Sequence, residues 1–270
     1  MSKWRPSTPC IYVIPDIHGK IDLLEKICDR ILPLRTTGGV KDKIIFLGDY
    51  IDRGPNSPQV LDFIINLKKK YNEQIITIKG NHEDILLNAC GLNSLIINPS
   101  TMDSSHLMWL KNGGVQTICS YLDLKGLKTN PYFIKPHRIA QIIPESHISF
   151  LKNLQSYYET DNFIFMHGGC DPSIPLEYQS ETTFIWDRSL CRSVINKIKN
   201  GETLKWKKTI VTGHNGAIMN GRPLINEKFM MLDLNDDSRL LVVELNSCDA
   251  FLAKSGASRL VKFSLEETNF

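Results

Sequence analysis

Apolar residues fall along this chain in two rhythms. Short continuous runs rich in β-branched residues come first: "IYVI" (11–14), "KIIFL" (43–47) and "QIITI" (74–78). Between them, apolar positions recur every three or four residues in "KIDLLEKICDRIL" (20–32) and "SPQVLDFIINLKKKY" (57–71). A continuous run suits a strand buried on both faces, and the wider spacing paints one face of a helix. Strand, helix, strand, helix, strand predicts a mainly parallel sheet with covering helices. Pro58 suits the start of the second helix, with Ser57 as its cap.

From about 85 to 160 the pattern changes. "HEDILLNAC", "SSHLMWLKNGGVQTICSYL" and "ESHISFLKNLQSYYE" are helical in spacing, interrupted at Gly113-Gly114 and Pro144, and no strong strand stands among them. A helical excursion over one end of the sheet is expected there. Strands resume at "NFIFM" (162–166), "TIVTG" (209–213), "FMMLDL" (229–234) and "RLLVVEL" (239–245). The last two, separated by "NDDS", read as an antiparallel pair within a second sheet. Without a repeat, low-complexity tract or clear linker, residues 1–270 are expected to form a single domain.

Composition narrows the class. The 270 residues are 42% hydrophobic and 23% charged with a net charge of +3, so a sizeable core is affordable and an extended nucleic-acid footprint is not expected. The basic runs "LKKKY" and "KWKK" read as solvated faces. Seven cysteines, none in CxxC spacing, suggest reduced thiols buried as small apolar residues. The apolar run near the N-terminus is short for a signal peptide and breaks at Pro15, and no stretch approaches the roughly 20 apolar residues a membrane helix needs. A cytoplasmic protein, not bound to membrane, is expected; oligomeric state is not readable.

Polar residues collect directly after the strands. "IYVI" leads to Asp16 and His18, "KIIFL" to Gly48-Asp49, and "QIITI" to Lys79-Gly80-Asn81-His82-Glu83. "NFIFM" leads to His167-Gly168-Gly169 and "TIVT" to Gly213-His214. Ligands of α/β sheets bind outside the carboxyl ends of the strands, and Asp16, Asp49 and Asn81 recur at about one βαβ unit. Singly, each motif is explained by a turn or a cap, Asn81 for example as the N-cap of the helix that follows. His106, His137 and His147 read as helix or loop surface. Together, five strand ends that each offer a metal-type ligand point to a site. Two carboxylates, one amide oxygen and imidazoles without a thiolate suit Mn²⁺, Fe or Zn²⁺ better than Ca²⁺, and the donors exceed one tetrahedral site.

"DIHG", "GDYIDRG", "GNHE", "HGG" and "GH", in this order, resemble the motifs of the phosphoprotein phosphatase family of calcineurin-like metallophosphoesterases. "WLKNGG" (109–114) and "IWDR" (185–188) resemble features of its compact bacterial and bacteriophage serine/threonine phosphatases. The resemblance implies an α/β fold: a β-sandwich of two mixed sheets flanked by helices, with a helical insertion after the third strand. It implies two divalent metal ions, Mn²⁺ favoured, with Asp16, His18 and Asp49 at the first. Asp49 would bridge to the second, completed by Asn81, His167 and His214. His82 would be the general acid, oriented by Asp52. Arg53 and Arg188, with Asn81, would hold the phosphate. A metal-bridging hydroxide would attack phosphorus in line, without a phosphoenzyme.

The sequence departs from the family pattern at Pro15 (usually Gly), at Lys79 (often Arg), and at "MLDLNDD", where relatives often carry Asp-Thr-Gly. By resemblance the substrate is a phosphorylated protein or peptide. The alternative is a symmetrical dinucleoside tetraphosphate hydrolase, against which Asp52 and Glu83 speak. A binding module that had lost catalysis would lack ligands, and none is missing.

Overall fold

The computed structural model describes residues 9–93, 99–247, 249–263 and 265. Expectations resting on the first eight residues and on Cys248 lie outside the described residues. The strands are β1 (Ile11–Ile14), β2 (Thr36–Thr37), β3 (Val40–Lys41), β4 (Lys43–Phe46), β5 (Ile75–Thr77), β6 (Tyr157–Glu159), β7 (Phe163–Met166), β8 (Thr209–Thr212), β9 (Leu224–Asn226), β10 (Phe229–Met231), β11 (Arg239–Glu244), β12 (Asp249–Lys254) and β13 (Val261–Phe263). The α-helices are α1 (Ile21–Ile31), α2 (Ser57–Tyr71), α3 (Asn81–Ala89), α4 (Pro99–Trp109), α5 (Val115–Leu124), α6 (Pro136–Ile142), α7 (Glu145–Lys152), α8 (Glu181–Trp186) and α9 (Ser189–Lys199).

One six-stranded sheet has the order β13-β12-β11-β1-β4-β5, and a five-stranded sheet has the order β6-β7-β8-β10-β9. Both are mixed. β1, β4 and β5 are parallel, as are β7, β8 and β10, and the remaining neighbours are antiparallel. Alternate side chains of one strand enter different cores. Val13, Ile45 and Ile76 meet Phe165, Val211 and Met230 between the sheets. Tyr12, Ile14, Ile44 and Phe46 point the other way, onto Leu24 and Ile27 of α1 and Leu61 and Ile64 of α2. Behind the second sheet, Met166, Ile210 and Phe229 pack on Cys191 and Val194 of α9. With apolar matter on both sides, these strands read as unbroken apolar runs rather than alternating ones.

The expected β-sandwich with flanking helices is therefore present, and α2 has the bounds its spacing predicts. The excursion is largely helical, and its Ile118, Tyr121, Ile139 and Leu151 share the core of α1 and α2. Several local expectations are corrected. The pattern "ESHISFLKNLQSYYE" is helical only through Lys152, after which β6 pairs antiparallel with β7. β10 and β11 do not pair with each other. β10 lies beside β8, β11 lies beside β1, and "NDDS" crosses from one sheet to the other. The caps of α2 and α3 are Asn56 and Gly80, with Ser57 and Asn81 each one residue inside. His137 is exposed as expected, but His106 and His147 are buried, the latter between Tyr121 Oη (2.7 Å) and Asp62 (3.0 Å). Of the six described cysteines, five are buried and Cys119 is half-buried.

Candidate metal centre

Strand register brings the site together. Ile14 lies opposite Phe46 and Phe46 opposite Thr77, so the carboxyl ends of β1, β4 and β5 stand level. In the facing sheet Phe165 lies opposite Val211, which levels the ends of β7 and β8. Asp16, Asp49, Asn81, His167 and His214 all follow these ends within a few residues. The loops approach closely enough to need glycine. A Cβ on Gly80 would stand 2.1 Å from Asp49 Oδ1, and one on Gly48 (φ +105°) would stand 2.6 Å from the Gly80 nitrogen. His18 (φ 47°), Asp49 (51°), Asp52 (71°), Arg53 (63°) and His214 (62°) occupy the left-handed region. The cost is about 1–3 kcal/mol each, which surrounding structure must hold in place.

The centre of the cluster is Asp49. His18, Asp49 and His82 form one group of potential ligand atoms within 4.8 Å, and Asp49, His167 and His214 form another. Asp49 belongs to both, as a bridging carboxylate would. His18 Nδ1 donates to the Ile51 carbonyl (2.9 Å) and His167 Nδ1 to the Leu47 carbonyl (2.8 Å). Those bonds turn the Nε2 of each ring inward, as a lone pair where the ring is neutral. There, acceptors face acceptors: His18 Nε2 is 3.6 Å from Asp49 Oδ2, and His167 Nε2 is 3.4 Å from Asp49 Oδ1 and 3.1 Å from Asn81 Oδ1. A cation between them resolves the conflict. His18 Nε2 and His214 Nε2 are buried with no hydrogen-bond partner among the described residues. Two orphaned imidazole nitrogens beside a buried carboxylate fit a divalent metal.

Charge in the site is divided accordingly. Burial, with His82 beside it, holds the His18 pKa well below its usual value, and burial with His167 brings His214 down to about 2. Both rings thus keep a free lone pair. Burial opposes ionisation of Asp49, but His167, His82 and His18 outweigh it and hold the carboxyl well below its ordinary pKa. His167 is raised to about 9, burial being overcome by Asp49 and Asp16, so a proton on its Nε2 satisfies the same carboxylate that a cation would. Asp16 is pushed up to about 8 by burial and by Asp233. It lies outside both donor groups, its carboxylate accepting the His214 backbone N–H at 3.2 Å.

His82 is placed differently from the other rings. Its Nδ1 meets Asp52 Oδ2 at 2.7 Å, leaving Nε2 directed toward Arg53 Nη2 at 3.3 Å. Burial is outweighed by Asp49 and Asp52, raising its pKa to about 8. Asp52 is held in turn by Trp109 Nε1 (2.9 Å to each oxygen) and by Thr117 Oγ1 (2.7 Å), and its own N–H goes to Ser57 Oγ and Thr117 Oγ1. Arg53 is exposed and also donates to Asn235 Oδ1 at 3.3 Å. Arg188 Nη1 donates to the His214 carbonyl at 3.1 Å, so both arginines stand beside the cluster. Lys79 pairs with Glu181 of α8 at 2.6 Å.

The model of the calcineurin-like phosphoesterase family matches residues 11–254. The chain belongs to that family. Its curated relatives include serine/threonine-protein phosphatase PP1-1 of Saccharomyces cerevisiae, 42% identical over 85 residues, which are 30% of this chain and 25% of that protein. Serine/threonine-protein phosphatase SIT4 of Candida albicans is 39% identical over 88 residues, 30% of this chain and 26% of its own length. The matched segment spans about a quarter of each of these relatives. Among solved structures, one provisionally described as a diadenosine tetraphosphatase aligns with a TM-score of 0.56 at 17% identity, covering 96% of both chains. A yeast protein serine/threonine phosphatase with similarity to human phosphatase PP5 aligns at 0.51 with 14% identity, over 97% of this chain and 81% of its own. At such identities these two likenesses speak for the fold alone.

Several residues also have roles in the site that the motifs did not announce. Glu83 accepts the backbone N–H of Asp49 (2.9 Å), Tyr50 (2.8 Å) and Gly80 (2.9 Å), fastening two motifs together. Trp109 and Thr117 reach Asp52 from the helical excursion. Asp233 accepts the N–H of Gly216 (2.8 Å) and Asn235 (2.6 Å), and so shapes the turn that carries Asn235 to Arg53. For Asp233 a signal existed. It follows β10 as Asp16 follows β1, and β10 is parallel to β8, but expecting a hairpin with β11 concealed it.

Proposed function

We propose that this chain is a dinuclear metal-dependent phosphomonoesterase acting on phosphoserine or phosphothreonine in proteins. The observation that carries the proposal is Asp49, flanked by two imidazole nitrogens without partners, beside a His82–Asp52 pair and two arginines. His18, Asp16 and Asp49 would hold one ion, and Asp49, Asn81, His167 and His214 the other. The mixed nitrogen and oxygen donors favour Mn²⁺, with Fe or Zn²⁺ compatible. Two such ions supply positive charge against the phosphate and make water reactive near neutral pH.

The chain's own residues do the rest. Arg53 presents a planar fork of donors that matches two phosphate oxygens, and Arg188 adds a second positive charge beside His214. Water forms the new bond to phosphorus through its oxygen and gives up one proton to solvent, while the bond from phosphorus to the ester oxygen breaks. His82 Nε2 delivers the proton that the departing alkoxide needs, while Asp52 keeps the ring turned and stabilises its protonated form. Trp109 and Thr117 hold Asp52 so that it cannot rotate away. We place the enzyme in the cytoplasm, on an odd number of cysteines with no CxxC spacing. Among the described residues no helix is long and apolar enough to cross a membrane.

The test is a comparison of substrates after chelation and addition of Mn²⁺. Turnover of a phosphoserine peptide should exceed that of diadenosine tetraphosphate by an order of magnitude or more in kcat/KM. The reverse preference would make the protein a dinucleoside tetraphosphate hydrolase, and turnover of neither would remove the catalytic proposal.

A further inference from the structure

Residues 124–142, "LKGLKTNPYFIKPHRIAQI", contain four lysine or arginine residues and no aspartate or glutamate. The whole chain carries +3, so the remainder without this segment is at −1. The positive balance of the protein is thus concentrated in one connection of the helical excursion. In the structure it lines a groove of about 680 Å³ between the end of α5 and α6. Leu122, Ile134 and Ile142 supply its apolar surface, and Lys125, Lys135 and Arg138 its charge, with no carboxylate among the lining residues. Among the described residues none of these three cations forms an ion pair. Arg138 donates to the neutral Gln141 at 3.3 Å. The nearest acids in sequence, Asp123 and Glu145, do not line the groove.

Apolar groups stand open at the same place. Phe133 is 82% exposed and Leu127 47% exposed, beside unpaired positive charge. We propose that this groove docks an acidic segment with one large apolar side chain, belonging to the phosphoprotein substrate. The substrate half of this proposal rests on the phosphatase reading above. An acidic peptide fits better than nucleic acid. A phosphate backbone asks for a longer track of cations than four, and the apolar surface asks for an anchoring side chain.

The position suits recruitment. Gly113, just before α5, accepts the Arg53 N–H at 3.2 Å, so the catalytic end of the excursion lies there. The groove lies at the other end of α5, about 15 Å away at 1.5 Å per residue. An extended peptide advances about 3.3 Å per residue, so roughly five residues are the shortest link between phosphoserine and acidic tract.

Two measurements test this on the full chain loaded with Mn²⁺. The first is fluorescence anisotropy of a labelled, unphosphorylated peptide with four glutamates and one leucine, against wild type, the double variant K135E/R138E and the single variant K125E. The second is turnover of phosphoserine peptides with and without that tract six residues away, with p-nitrophenyl phosphate as a control. Wild type should bind the peptide more weakly as salt rises, and charge reversal should weaken binding at least tenfold. The tract should lower KM about tenfold in wild type and not in the double variant, with p-nitrophenyl phosphate turnover unchanged. Equal binding by wild type and both variants, or tighter binding of a single-stranded oligonucleotide, would overturn the docking proposal. Peptide binding without turnover of any phosphate ester would overturn the phosphatase reading, and with it the substrate half, while leaving the acidic docking surface established.

Discussion

Replacement of His82 by Asn should lower kcat on a phosphoserine peptide by about 10²–10⁴-fold, the usual worth of a positioned general acid. His82 Nδ1 is committed to Asp52 at 2.7 Å, and Nε2 faces Arg53 across 3.3 Å, so the ring is held where a leaving oxygen would depart. Its pKa of about 8 keeps a proton available near neutrality. The loss should depend on the leaving group. An alkoxide leaves poorly without a proton, whereas p-nitrophenolate leaves readily, so p-nitrophenyl phosphate should suffer much less. Metal content should remain that of wild type. Equal losses on both esters would remove His82 from proton transfer and leave it a positioning residue.

Asp49→Asn should cost both metal and rate. The carboxylate belongs to both donor groups, and its pKa is held low by His167, His82 and His18 against burial. An amide is nearly the same size but carries no charge to hold two cations. Loss of an outer-shell partner typically weakens metal binding 10–100-fold, and loss of a shared ligand should exceed that. We expect kcat/KM to fall by about 10³-fold or more at saturating Mn²⁺, and elemental analysis to show less than one ion per chain after desalting. Full occupancy in the variant would contradict the bridging role.

Much of this was legible in the chain because burial on both sides leaves a plain signature. β1, β4 and β5 are apolar on both faces and stood out as continuous runs, and α2 showed its buried stripe from Ser57 to Tyr71. Once the strands were placed, the rule that α/β sites form beyond strand ends gathered Asp16, Asp49, Asn81, His167 and His214. Which sheet a strand joins is a tertiary matter. "FMMLDL" and "RLLVVEL", four polar residues apart, satisfy every local rule for a hairpin and yet lie in different sheets. The same limit hid the roles of Trp109 and Thr117, which reach Asp52 across 57 and 65 positions of chain. His147 looked like surface because its polar partners, Tyr121 and Asp62, come from other helices. Nor does a sequence pattern reveal that His18, Asp49 and His214 are held at positive φ.

Anomalous X-ray diffraction from crystals grown with Mn²⁺ is the most direct measurement. Two peaks should appear on either side of the Asp49 carboxylate, one beside His18 and one beside His167 and His214. A single peak, or peaks remote from Asp49, would show that these side chains do not form a two-metal centre.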